Sequence, residues 1–120
     1  MKIRFFVLAI LAVFLAGAVN LSAFCIYNNT DVSIYADQIN GGNFFTELEA
    51  VINPGKKECC NWKNKGCNKK HKRNSKIKIE VSLIKSNVAY KQICKKTIKA
   101  GGALVVTGKK GHYSCKVKGY

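Results

Sequence analysis

The chain reads as an all-β protein, a small antiparallel β-sandwich or small barrel stapled by disulfides, and three observations lead there. Residues 76–83 alternate strictly, with Ile77, Ile79, Val81 and Leu83 on one face and Lys76, Lys78, Glu80 and Ser82 on the other; this is the period of a strand with one dry side. Six cysteines follow an N-terminal segment that has the form of an export signal, and an even count in an oxidising compartment pairs into disulfides. Past that segment, no stretch carries a sustained apolar stripe at helical spacing with capping residues at its ends.

In chain order, Lys2 and Arg4 open the leader, residues 5–15 form an unbroken apolar run, and Ala16-Gly17-Ala18 supplies a small-residue cleavage site. These are the three parts of a secretory signal. The signal peptide is taken as residues 1–18, so the mature chain is expected to begin at Val19, with a cut after Ala23 as the alternative. The apolar run is shorter than the roughly 20 residues that span a bilayer, so no transmembrane segment is expected and the protein is placed outside the cell. Residues 19–120 suffice for one domain with a single modest core.

Strands are expected at 24–28, 32–37 and 44–52, then at 76–83, 88–94, 103–107 and 113–117, all rich in β-branched or aromatic residues. Asn40-Gly41-Gly42-Asn43 and Gly108-Lys109-Lys110-Gly111 read as hairpin connections, because glycine accepts the positive φ such turns need. Asn53-Pro54-Gly55 suits a type II turn, with proline at the first central position and glycine at the second. The cysteines are Cys25, Cys59, Cys60, Cys67, Cys94 and Cys115. Neighbours Cys59 and Cys60 do not pair readily with each other, so they are read as tying two different elements to one point; the full pairing stays open. Cys60, Cys67 and His71 fit no zinc-finger spacing, and no metal or other cofactor is expected.

Charge is distributed unevenly. Residues 19–55 hold four acids (Asp31, Asp37, Glu47, Glu49) and no base, whereas residues 56–120 hold 19 bases and two acids. Such an excess opposes compaction and points to a polyanionic partner: an anionic lipid surface, an acidic polysaccharide or nucleic acid. Its densest part comprises Lys63, Lys65, Lys69, Lys70, Lys72, Arg73, Lys76 and Lys78, with Trp62 at the border as either a stacking platform or a core residue packed on a bridge. If the cysteines fix its root, this run is a preorganised site rather than a loose arm. The bland reading is a solvated loop whose charge only confers solubility. Lysine far outnumbers arginine here, which favours diffuse, salt-sensitive adhesion over bidentate recognition.

Other signals are narrower. Lys69-Lys70-His71-Lys72-Arg73 has the form of a nuclear address, relevant only to a product that enters another cell. His71 and His112 among lysines are the residue types of a secreted cationic ribonuclease, the enzymatic alternative to a binding protein; no hydrolase elbow, zinc-protease helix or phosphate loop occurs, and an enzyme is not the expected reading. Asn28-Asn29-Thr30 is an acceptor for N-linked glycan at Asn28. Phe44-Phe45 is the candidate apolar edge for membrane contact.

The short leader, the Cys59-Cys60 doublet among six cysteines, the abundant lysine and the β-rich body together resemble the small secreted cysteine-rich proteins of the fungal effector type. Phe24-Cys25-Ile26-Tyr27-Asn28-Asn29-Thr30, followed later by Ile52-Asn53-Pro54-Gly55, is similar to the opening half of aegerolysins, over about a third of the chain. That second resemblance implies a single-domain β-sandwich that binds membrane lipid. The basic, cysteine-rich composition departs from aegerolysins, which are acidic and poor in cysteine.

Overall fold

A computed structural model describes residues 23–43, 47–61 and 63–118. The leader, Phe44, Phe45 and Trp62 lie outside the described residues. Eight strands occur among the described residues: β1 (Ala23–Thr30), β2 (Ile34–Asn40), β3 (Glu49–Ile52), β4 (Lys57–Asn61), β5 (Lys76–Lys85), β6 (Val88–Lys99), β7 (Ala103–Lys109) and β8 (His112–Lys118). They form two four-stranded sheets, ordered β4-β1-β7-β8 and β3-β2-β5-β6, which face one another as a sandwich rather than closing into a barrel. All neighbouring pairs are antiparallel except β1 and β7, which run parallel.

Alternation builds the core. Phe24 and Ile26 of β1 and Leu104 and Val106 of β7 are fully buried against Ile34, Ile52, Ile77, Ile79 and Val81 of the opposite sheet. A fully buried isoleucine or phenylalanine contributes about 1.5–3 kcal/mol, so this apolar seam, more than any single polar contact, fixes how the sheets face. Leu83, expected on the same face, is only half-buried. Alongside it β6 carries one extra residue at Ile93 and another at Tyr90, and such bulges turn the ladder away from regular packing.

The connections differ from expectation in one place. Residues 41–48 join β2 to β3, so Asn40-Gly41-Gly42-Asn43 opens a longer excursion instead of closing a tight hairpin, and of the strand expected over 44–52 the described residues show Glu49–Ile52. Ser86 and Asn87, both left-handed at φ 53 and 62, make the two-residue turn between β5 and β6. The β7–β8 turn is centred on Lys110 (φ 51) and Gly111 (φ 84). Asp31, in the β1–β2 turn, holds this hairpin by accepting from Lys110 N at 3.1 Å and Tyr113 OH at 2.7 Å. The phenol of Tyr113 and the Lys110 amide hold the Asp31 carboxyl below the usual carboxylate range.

Three disulfides staple this frame: Cys25–Cys59, Cys60–Cys67 and Cys94–Cys115. The first links directly opposed residues of β1 and β4, the second ties β4 to the following loop, and the third joins β6 to β8 across the two sheets. Cys59 and Cys60 therefore fix two different elements to one strand. In the chain-entropy account each bridge of this kind contributes about 2–4 kcal/mol, which offsets the self-repulsion of a chain with formal net charge +15.

Candidate basic binding loop

The lysine-rich segment between β4 and β5 crosses from one sheet to the other and is fixed at its middle. Cys67 and Asn68 are fully buried, Cys67 through its bridge to Cys60. Gln38, buried on the inward phase of β2 beside Ile34 and Ala36, donates Nε2 to Cys67 O at 2.6 Å and accepts Leu48 N at 3.0 Å on Oε1. Asparagines satisfy the loop's own backbone: Asn61 Oδ1 accepts Lys63 N, Asn64 Oδ1 accepts Gly66 N, and Asn68 Nδ2 donates to Lys72 O, each at 2.9 Å. Short polar side chains of this type replace the missing ladder partners of a turn.

The loop also docks on its neighbours. Lys69 N donates to Gly41 O at 2.8 Å and Asn43 N to Gly66 O at 2.7 Å. A Cβ on Gly42 would meet Gly66 O and the Glu47 side chain at 2.8 Å and Gln38 Nε2 at 2.7 Å, so this approach requires glycine. At the far end, Gly101 N donates to Arg73 O and Ala100 N to Ser75 O, while the Arg73 side chain lies over Gly101, with Cγ 2.7 Å from where a Cβ would stand, so a side chain there would displace it.

From this scaffold Lys63, Lys65, Lys69, Lys70, Lys72, Arg73 and Lys76 project as exposed side chains, and Lys78 is half-buried on the outer face of β5. Lys69, Lys70 and Lys76 converge on one cleft; the other five expected residues lie outside it. Gln38 and the three asparagines escaped the sequence reading, although Gln38 falls in phase with Ile34 and Ala36, a signal that a buried polar group needs partners.

Beside the loop the outer face of the β3-β2-β5-β6 sheet carries opposite charge. Glu49, Asp37, Glu80 and Lys95 are consecutive cross-strand neighbours, and Lys95 Nζ reaches Glu80 Oε2 at 3.9 Å. Partial burial, then repulsion from Glu49 and Glu80, pushes the Asp37 carboxyl above its ordinary value of 3.8. Glu47 is raised chiefly by burial, with Lys69 pulling the other way. Burial and a hydrogen bond to Glu49 push the Tyr35 phenol up. Because the folded state holds the Asp37 proton more tightly than the unfolded chain does, this group favours folding below pH 3.8, and that contribution is lost as pH rises through the folded value. Asp37→Asn is therefore expected to raise the denaturant midpoint near neutral pH and to leave it unchanged below about pH 4; a lower midpoint at neutral pH would contradict this account of the acidic row.

One expectation is corrected by geometry. Asn28 is fully buried, with Nδ2 donating to Val32 O and Ile52 O, both at 2.8 Å, so an N-linked glycan at that nitrogen is incompatible with the fold. The basic loop bonds to Ala100 and Gly101, just before β7, through Ser75 and Arg73, whereas His112 pairs with Lys109 at the other end of that strand, about 20 Å along it at the rise of an extended chain. The end of β1 also touches the end of β3 and the turn after it, through Asn28 to Ile52 O and Gly55 N to Asn28 O. No family model matches this chain, and no curated protein matches it. Among the described residues, no helix is long and apolar enough to cross a membrane.

Proposed function

We propose that this is an exported, disulfide-stapled cationic protein that acts outside the producing cell by adhering to a polyanionic surface through the Lys63 to Lys78 segment. The observation that carries the reading is preorganisation: a run of exposed cations is fixed at its centre by Cys60–Cys67, Gln38 and Asn68. A loop whose conformation is already set loses less entropy on binding than a flexible arm, and a charge device meant only for solubility needs no such anchoring. An acidic polysaccharide is the favoured partner class. Lysine ammoniums suit spaced anionic groups without bidentate geometry, and the exposed Val88 and Tyr90 sit at the β5–β6 turn, away from the loop.

The test is parallel binding of the oxidised protein to heparin, RNA and anionic liposomes across a salt series. Two charge-matched variants accompany it. One carries Lys69→Gln, Lys70→Gln, Lys72→Gln and Arg73→Gln; the other carries Lys91→Gln, Lys96→Gln, Lys109→Gln and Lys116→Gln, all exposed and remote from the loop in sequence. Heparin binding that survives moderate salt and is lost only in the loop variant is expected. Equal, weak binding of all three ligands by all three proteins would sink the proposal.

A further inference from the structure

Resting on that reading, we infer that the cleft between the Asn40 to Gly42 turn and the basic loop is a subsite for one tetrahedral oxyanion, the sulfate or phosphate ester of a larger polyanion. The cleft encloses about 240 Å³. That is several times the roughly 30 Å³ share of a water molecule and below the roughly 300 Å³ at which drug-sized pockets begin. It therefore suits a single charged group with part of its hydration. Asn40, Gly41 and Gly42 form one wall; Lys69, Lys70, Ser75 and Lys76 complete it, so three lysines and no acidic residue line the space.

A second feature points the same way. Ser75 is 7% exposed, and its Oγ has no hydrogen-bond partner among the described residues. A buried hydroxyl is ordinarily paired; this one is itself closed off from solvent but belongs to a residue that lines the cationic cleft, and turning it toward an anion held there would give it the acceptor it lacks. The turn opposite is equally committed. Gly41 is left-handed at φ 92, and a Cβ there would meet Lys76 O at 2.6 Å, so glycine lets the turn sit against the start of β5 and define the wall. Gly41 N donates to Asn40 Oδ1 at 2.8 Å, which leaves the Nδ2 end of that side chain to donate.

The experiment is a two-dimensional amide spectrum of the oxidised protein, titrated with sodium sulfate, inorganic phosphate or sodium acetate at constant ionic strength. It is run on the wild type, on Ser75→Ala and on Lys69→Gln/Lys76→Gln. Saturable shifts confined to residues 40–42, 69–70 and 75–76 are expected with sulfate or phosphate and not with acetate. Ser75→Ala should weaken them about tenfold, the scale of one hydrogen bond to a charged group; it removes a hydroxyl with no partner and so leaves none orphaned. Preference for sulfate assigns the subsite to a sulfated glycan, and preference for phosphate to a phosphodiester or phosphomonoester partner. Shifts spread evenly over all lysines, an equal response to acetate, or an unchanged affinity in Ser75→Ala would overturn the subsite. Loss of heparin binding in the loop variant tests the adhesion reading separately, so either idea can fail while the other stands.

Discussion

Replacing Asn28 with alanine is expected to destabilise the protein by about 3–5 kcal/mol, because several buried backbone groups lose their partner at once. Asn28 is fully buried on the inward face of β1. Its amide donates across the sandwich to Ile52 O at the end of β3 and locally to Val32 O; its carbonyl accepts Thr30 N at 3.0 Å and Thr30 Oγ1. One side chain thus joins the end of β1, the turn into β2 and the opposite sheet. Alanine leaves Ile52 O and Thr30 N in a dry interior, where each costs the desolvation of an unpaired group. Asn28→Asp should be at least as harmful, since it loses both donors and buries a charge. The neighbouring exposed Asn29 supplies the control, with Asn29→Ala expected within about 0.5 kcal/mol of wild type. Guanidinium unfolding of the oxidised proteins measures all three; a loss below about 1 kcal/mol for Asn28→Ala would show that the hub is not what joins the sheets here.

Gln38→Leu is the second large effect, expected at about 2–4 kcal/mol since it conserves bulk while orphaning Cys67 O and Leu48 N. Its consequence for binding matters more. The substitution alters no charge, yet it removes the contact that holds the root of the basic loop to β2. Heparin affinity should therefore fall several-fold at constant net charge. Wild-type affinity in a folded Gln38→Leu protein would mean that the lysines bind equally well without the fixed loop, and preorganisation would lose its place in the argument.

The sandwich was legible where local chemistry and burial agree. The alternation placed β5 because from Lys76 to Val81 its inward residues are apolar and buried and its outward residues charged. β4 went unseen because Lys57-Glu58-Cys59-Cys60-Asn61 has no apolar phase; it is an edge strand, almost wholly exposed, held to β1 by pairing and by Cys25–Cys59. The parallel partnership of β1 and β7 depends on residues far apart in the chain, and no spacing encodes it. Asn28 was misread for a related reason. An asparagine two residues before a threonine at a strand end looks like a surface turn or a glycan acceptor, and only the arrival of β3 buries it.

At the candidate site, the cations themselves were evident from composition, as was the expectation that cysteines fix their root. Which three lysines converge was not, since that depends on how the Gly41-Gly42 turn packs on the loop. Ser75 carries no sequence signal at all; its interest lies in being buried without a partner beside those lysines.

The measurement that bears most directly on the central claim is the salt dependence of heparin affinity for the wild type and the two charge-matched variants. If the fixed loop is the site, neutralising Lys69, Lys70, Lys72 and Arg73 should reduce the slope of log affinity against log salt by about 3, the counterion release of the lost contacts. Neutralising Lys91, Lys96, Lys109 and Lys116 should leave the slope near that of the wild type. Equal reductions in both variants would contradict the claim and assign the adhesion to total charge.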